Sequence, residues 1–390
     1  MNVFENLERH RKWSDEERLI LDQFQRVADT VIAPNAAHYD RNHEFPADNM
    51  RALNEIGANM IFIPEAYGGA LVSYRLYLQV VKILAEACAA TAIVWSTTFN
   101  GLKSLIDQGT DEQRKRMLSR IAAGGLGALG ITEPNAGSDA TGMKTQFRPD
   151  GDDIIVTGGK TFITNGDRAD LMLLFGKWSE IDDRKGSISA LIFEKGTPGF
   201  EVLRLEEKMG HLASTTATIA FNGCRVPRAN LLGNPGDGLK ILFSSLNKSR
   251  PSIAAHALGI ATAAFKDMTA YMNDRTQSGR RVVDFQGNQF MLADLATDLV
   301  MAEHWLDYVA GLVEEGGDDF GVEASMAKMR ASDLAMRIAT DAVQMYGGYG
   351  YMRDFRVERL MRDAKVTQIW EGTNQVHRQL IGRSFARRSN

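Results

Sequence analysis

Cysteine is scarce in this 390-residue chain: only Cys88 and Cys224 occur, far apart, so neither a disulfide framework nor a zinc site is suggested. Such usage fits a reducing, intracellular compartment. No stretch approaches the roughly 20 apolar residues of a membrane span. The opening MNVFENLERHRKW has no apolar run and is too acidic for a transit peptide, so a cytoplasmic protein is expected. Neither sign of charge dominates. With 45 basic and 49 acidic residues the net charge is −4, too small to argue for nucleic acid or a membrane surface as partner. A P-loop, an H-E-x-x-H helix and a G-x-S-x-G turn are all missing. The seven histidines are scattered, and His38 with His43 lacks helical ligand spacing, so no metal site is expected.

Length exceeds what one core usually serves, and three zones separate by periodicity. The segment 1–128 reads as helical. SDEERLILDQFQRVADTVI opens on a capping box, Ser14 with Glu17, and places Leu19, Phe24, Val27 and Val31 at helical spacing. IPEAYGG (63–69) interrupts the pattern, and LYLQVVKILAEACAATAIVW resumes it. In 129–238, short β-branched runs such as DDIIVTGGKTFITNG, LMLLFGKW, SISALIFEKG and TATIAFNGCRVP alternate with Gly, Asn, Asp and Pro, which reads as a small β-barrel or sandwich domain. From 239 to 390 the helical period returns; Ile253, Ala257, Ile260, Ala264, Met268 and Tyr271 share one face of a long helix. The fold class is mainly α with a central β domain.

GLGALG (125–130) satisfies the dinucleotide fingerprint G-x-G-x-x-G, but a helical segment precedes it and ITEPNAGSD follows where a helix should start. ITEPNAGSDATGMKTQ (131–146) says more. Hydroxyls and small-residue amides lie together there, and Gly137 has no side chain to block a flat polar ring or a phosphate. An ordinary surface turn has the same composition. KTFITNG (160–166) sets Phe162 and Thr164 on one strand face, which suits an isoalloxazine and equally a half-buried strand. In QIWEGTNQVHRQL (368–380), Glu371 stands between Trp370 and a Gly-Thr pair, either a surface carboxylate or a base.

Taken together and in order, ITEPNAGSD, KTFITNG, NKSRPSIAA, QMYGGYGYM, LMRDAKVTQIWEGTNQ and IGR resemble the acyl-CoA dehydrogenase flavoprotein family over nearly the whole chain. The resemblance implies an N-terminal helical domain, a central β domain and a C-terminal four-helix bundle. It implies FAD as cofactor, an acyl-CoA as substrate, a homotetramer and an electron-transferring flavoprotein as electron acceptor. It assigns the flavin to Leu129, Ile131, Thr132, Ser138, Phe162 and Thr164, with Thr164 near flavin N5. The adenine-diphosphate end, shared with a neighbouring subunit, falls to Arg275, Gln286, Gln344, Gly347, Gly348, Thr373 and Gln375. Ser278 stands where relatives usually carry Phe. For the acyl-CoA, the resemblance points to Ser138, Asn247, Arg250, Trp370 and Gly372, with Asn247 replacing the usual acid while still able to hydrogen-bond.

The implied reaction is α,β-desaturation. A thioester α-proton is a weak acid, so the enolate must be stabilised as it forms. By resemblance, the Glu371 N–H and a ribityl hydroxyl hold the thioester oxygen, and the Glu371 carboxylate removes the proton. Burial is expected to raise that carboxyl. Some branches carry the base just before the CoA-segment arginine, where this chain has Ser249, which cannot serve. AIVWSTTFNG (92–101) lines the acyl pocket in relatives; here it holds Trp95, Thr97, Thr98 and Phe99 and no Arg, which disfavours a dicarboxylic acyl group. Bulky aromatics suit a short, branched or cyclic acyl group, or plain core packing. A flavin-dependent oxidase or monooxygenase on the same fold is the alternative.

Overall fold

Residues 3–317 and 319–386 are described by a computed structural model, so the first two and last four residues of the outer segments lie outside the described residues. Helices fill the first segment: α1 (Val3–His10), α2 (Asp15–Val27), α3 (Ala33–Asn42), α4 (Ala47–Glu55), α5 (Tyr74–Ala87), α6 (Ala89–Gln108) and α7 (Asp111–Ala122). The capping box opens α2. Ser14 Oγ accepts the Glu17 N–H at 3.1 Å, and the Glu17 carboxylate accepts the Ser14 N–H at 2.9 Å. The buried face of this helix differs from the expected one. Leu19 is 70 % exposed, and the buried positions are Phe24, Ala28 and Ile32. Steps of four overshoot an α-turn of 3.6 residues, and a π-turn over Ala28–Ile32 takes up the overshoot. The helical run through Ala87 is also two helices, parted where Cys88 turns extended (φ −157°, ψ 105°).

The β runs form one sheet from β1 (Gly127–Gly130), β2 (Gln146–Asp150), β3 (Asp153–Thr164), β4 (Leu171–Trp178), β5 (Ile188–Glu194), β6 (Phe200–Leu205), β7 (Thr216–Pro227) and β8 (Leu231–Leu232). Its order is β6-β7-β3-β2-β4-β5-β8, with β1 added parallel to β4. GLGALG therefore ends in a strand. A Cβ on Gly127 would lie 2.7 Å from the Thr98 carbonyl oxygen, and one on Gly101 would lie 2.6 Å from that of Ala128. These glycines let α6 lie directly on β1. Thr98 Oγ1 accepts the Gly127 N–H at 3.1 Å, and the buried Asn165 amide bonds Val94 O and Gly127 O, tying helix to sheet.

The last segment comprises α8 (Gly238–Asp274), a hairpin of β9 (Thr276–Gln277) and β10 (Arg280–Arg281), then α9 (Gln286–Glu315), α10 (Gly321–Tyr346), α11 (Val357–Thr367) and α12 (Asn374–Ala386). The 37-residue α8 packs on α5, α6, α9, α10 and α11, so it is shared by the cores of the first and last segments. Ile253, Ala257, Ile260, Ala264 and Met268 are buried on it, and Tyr271 stacks on Tyr346 with ring centroids 4.0 Å apart. Among the described residues, no helix is long and apolar enough to cross a membrane, and no cluster of metal-ligating side chains occurs.

The helix–strand contact gives a test. Gly101→Ala forces α6 off β1, a clash of the overpacking kind that costs about 1–3 kcal/mol. A lowered midpoint of urea unfolding is the expected result, and an unchanged midpoint would show that the interface yields freely.

Candidate active site

α11 ends at Thr367, and the chain must turn before α12 can begin at Asn374. Glu371 makes that turn with φ at 53°, followed by Gly372 at 98°. A non-glycine residue in the left-handed region persists only where its surroundings dictate it. Here the Asn374 N–H returns to Gln368 O at 3.0 Å and the Lys328 ammonium donates to Gly372 O at 2.8 Å. Asn374 in turn bonds Ser332 Oγ (2.9 Å) and Asp333 Oδ1 (2.7 Å), and Asp333 also accepts from Gln368 and Arg378. The turn is thus bolted to α10.

Its carboxylate points at α8. Glu371 Oε2 accepts a hydrogen bond from Ser249 Oγ at 2.6 Å, which brings the turn onto α8. Glu371 keeps some exposed surface as a residue, yet burial dominates its carboxyl and raises it above the ordinary value. Ser249, Arg250 and Lys328 pull in the opposite direction and do not cancel that effect. Arg250 is buried beside it. Its Nη1 donates to Asn247 Oδ1 at 2.9 Å and approaches Ser325 Oγ at 3.4 Å, while its Nε–H has no partner among the described residues. Pro251 has no N–H to donate to the Asn247 carbonyl one turn back, so Asn247 offers polar groups at both backbone and side chain.

Trp370 packs edge-on against two histidines that belong to none of the motifs quoted above. Its ring lies 5.1 Å from His211 and 5.6 Å from His256, and the histidines share a hydrogen bond between Nε2 atoms at 2.9 Å. Burial pushes His256 down to about 3 and His211 well below its usual value, so both are neutral. His256 stands seven residues, two helical turns, beyond Ser249 on α8. That spacing was a usable signal, whereas His211 reaches the site only through the tertiary fold. Tyr77 and Ser252 were missed as well; the tyrosine hydroxyl meets Ser252 Oγ at 3.1 Å.

A second group gathers on the β domain. Phe162 is 63 % exposed with φ at 59°, Thr164 is half-buried two residues on, and Ile163 between them is buried. A register shift between Lys160 and Ile163 accommodates the unusual φ; Lys160 and Thr161 are both buried there, and the alternation resumes at Phe162. The Thr161 N–H bonds Thr132 O at 2.9 Å, bringing Ile131, Thr132 and the exposed Ser138 loop beside this strand end; Leu129 precedes them on β1. Beneath the loop lies a buried ion pair. Lys160 Nζ meets Glu133 Oε1 at 2.8 Å and Ile131 O at 2.9 Å, and Glu133 also accepts from the Thr145 and Lys144 N–H groups. Burial pushes Lys160 down to about 8 and would push Glu133 up, but Lys160 foremost holds the carboxyl below its usual range, so the pair is ionised. An exposed ring and hydroxyl on a rigid loop fit a flat tricyclic cofactor such as a flavin.

The third group stays apart. Arg275, Gln286, Gln344, Gly347 and Gly348 are exposed, as is Gln375; Arg275 lies over the Tyr349 ring at 5.9 Å, beside the two glycines. Among the described residues no hydrogen bond joins this group to the other two. Thr373 caps α12, its hydroxyl accepting the Val376 N–H at 3.3 Å. Ser278 sits at the exposed tip of the β9–β10 hairpin with φ at 50°, next to Gly279 at 73°, as a two-residue turn of this hand requires.

Three family models match consecutive stretches of the chain: acyl-CoA dehydrogenase N-terminal domain (14–125), middle domain (128–224) and C-terminal domain (236–386). The short-chain specific acyl-CoA dehydrogenase of Clostridium acetobutylicum is 39 % identical over 368 residues, covering 94 % of this chain and 97 % of that protein. An acyl-CoA dehydrogenase of Bacillus subtilis is 43 % identical over 354 residues, covering 90 % and 93 %. Among solved structures, butyryl-CoA dehydrogenase from Megasphaera elsdenii superposes with a TM-score of 0.93 at 36 % identity, covering 96 % of this chain and 99 % of its own. A chain from a study of the electron transferring flavoprotein of Acidaminococcus fermentans gives 0.93 at 39 %, covering 97 % and 99 %. A glutaryl-CoA dehydrogenase from Mycobacterium smegmatis, in complex with FADH2, gives 0.89 at 25 %, covering 98 % and 97 %. Helical, β and helical domains in this order define an oxidoreductase fold. The chain belongs to the acyl-CoA dehydrogenase family.

The buried ion pair is testable independently of chemistry. Lys160→Met strands Glu133 in the protein interior, a loss of about 3 kcal/mol or more. Faster amide exchange across residues 131–145 is expected with it, and unaltered exchange there would show that the pair does not hold the loop.

Proposed function

We propose that the protein is an FAD-dependent acyl-CoA dehydrogenase that desaturates a short acyl thioester, with Glu371 as the base. The observation that carries this reading is the Glu371 carboxylate: desolvated, raised in pKa, and held on a strained turn next to Ser249 and Arg250. A base poised this way is idle in a merely structural turn. The site residues then divide the labour. Phe162 and Thr164, with Leu129, Ile131, Thr132 and Ser138, hold the flavin ring, which when bound accepts the β-hydride. Arg250 and Asn247 meet the CoA portion, and the unpartnered Arg250 Nε–H suits an incoming acceptor. Glu371 takes the α-proton through its carboxylate, and its backbone N–H orients the thioester oxygen at the same turn.

Support for a short acyl group comes from the aromatic packing on α5 and α6. Trp95 lies 4.8 Å from Phe99, 5.8 Å from Tyr77 and 6.0 Å from Phe24, and Phe62 closes on Phe99 at 4.5 Å. All five rings are buried, and Tyr77 feels the Glu371 charge, so this plug reaches toward the base and fills the space a long chain needs. The similarity to short-chain specific and butyryl-CoA dehydrogenases points the same way. The exposed Arg275, Gln286, Gln344, Gly347 and Gly348, together with Thr373 and Gln375, suit the adenine-diphosphate end completed by another subunit of a homotetramer. An electron-transferring flavoprotein is the proposed electron acceptor.

The purified protein is expected to be yellow and to bleach anaerobically with butyryl-CoA much faster than with octanoyl-CoA. Glu371→Gln keeps the flavin but slows that bleaching by a factor of about 10²–10⁴. Full-rate bleaching in this variant would remove Glu371 as the base. Because burial raises the Glu371 carboxyl, it keeps its proton to a higher pH than an ordinary carboxyl; the reduction rate therefore climbs with pH through that raised value and is lost as pH falls below it. A stopped-flow pH profile that is flat down to the ordinary carboxylate range would contradict this.

A further inference from the structure

Lys328 is a cation with no exposed surface in the middle of α10, far in sequence from every motif of the site. Its ammonium donates to Gly372 O at 2.8 Å and to Asn374 Oδ1 at 3.0 Å, so two of its three N–H bonds go to the turn that carries Glu371. We propose that Lys328 is a positioning residue for Glu371, fastening the left-handed turn through the Gly372 carbonyl and supplying a buried positive charge against which the carboxylate ionises. The inference rests on Glu371 being the base.

A tie to a carbonyl does not by itself need a charge. A glutamine in the same place makes the same bond, whereas removing an ammonium from water costs several kcal/mol. Nearby anions favour the charged form, and both Glu371 and Asp333 raise Lys328 toward it against the effect of burial. Asp333, one turn on along α10, already has Arg378 at 2.6 Å, with Gln368 and Asn374 as further donors. Glu371 has a hydroxyl from Ser249 and a neighbouring Arg250, itself bonded to Asn247. The remaining groups around Glu371 are neutral. His377 on α12 lies under Gly372, where a Cβ would come 3.2 Å from its Nε2, and burial pushes it down to about 3. Tyr77 on α5 is held protonated by burial. Burial likewise brings Lys328 to about 7, with Glu371 and Asp333 raising it and Arg250 lowering it. The lysine and the glutamate thus stabilise each other's charged forms.

The geometry also says what the lysine does before any proton moves. Glu371 at φ 53° and Gly372 at φ 98° present the Glu371 N–H and carboxylate on one turn. Releasing Gly372 O frees that turn to relax toward ordinary dihedrals, and both groups lose their alignment.

The test is the pH profile of flavin reduction by butyryl-CoA in the FAD-loaded tetramer, for Lys328→Met and Lys328→Gln. With the ammonium gone, the acid limb is expected to move up by about one pH unit and the rate at neutral pH to fall about tenfold or more, with little change in KM. Lys328→Gln keeps a hydrogen-bond donor, so it decides the matter if the methionine variant does not hold FAD. An acid limb that stays in place in the glutamine variant overturns the role of Lys328. Glu371→Gln separates the two readings. Reduction that survives it removes the base itself; reduction that depends on Glu371 yet ignores Lys328 overturns only this inference.

Discussion

A carboxylate kept out of water must still be able to ionise, and much of this structure answers that one constraint. Burial raises the Glu371 carboxyl above its ordinary value, and in the proposed role of base full hydration would leave it weaker. The compromise uses two helices and a turn. α8 contributes Ser249 and Arg250, α10 contributes Lys328, and the turn between α11 and α12 carries the acid itself. α8 can reach the site because its 37 residues run through the cores of both helical segments. Pro251, tolerated within it, falls at the residue after Arg250.

The β domain solves a different problem, how to leave an aromatic ring exposed at a defined place. The Phe162 backbone takes a positive φ at a register shift in β3, and the ring is exposed. Underneath, Lys160 and Glu133 lock the loop that faces it, and Glu133 spends its acceptor capacity on Lys144, Thr145 and Lys160. A buried ion pair is weak evidence for stability, but here it joins two segments of chain 27 residues apart at one place.

Much of this was legible beforehand and some was not, for physical reasons. The Ser14 cap, the long apolar face from Ile253 to Met268 and the alternation from Phe162 to Thr164 are local patterns, and they survive in the fold. Leu19 falls off the buried face of α2 because five residues separate it from Phe24, about 140° away around an α-helix, and the π-turn at Ala28–Ile32 comes only after both. GLGALG matches a phosphate-loop spacing but not its context, and its glycine at 127 serves a close backbone approach to α6. Lys328, His211 and His256 lie 43, 160 and 115 residues before Glu371, and no local pattern pairs positions so far apart. Lys328 and His256 reach the turn from α10 and α8, and His211 reaches it from the segment between β6 and β7.

The left-handed turn at Glu371 also bears on how such a chain drifts under mutation. Glycine at that position would relieve the backbone by about 1 kcal/mol or more and spare the protein a desolvated acid. The β-branched residues are the ones it excludes. A lineage released from selection for activity therefore has a downhill path at this residue, toward a better-folded and inert protein. Persistence of a glutamate there opposes stability, which makes this single position a sensitive record of whether a chain is still under selection for its chemistry.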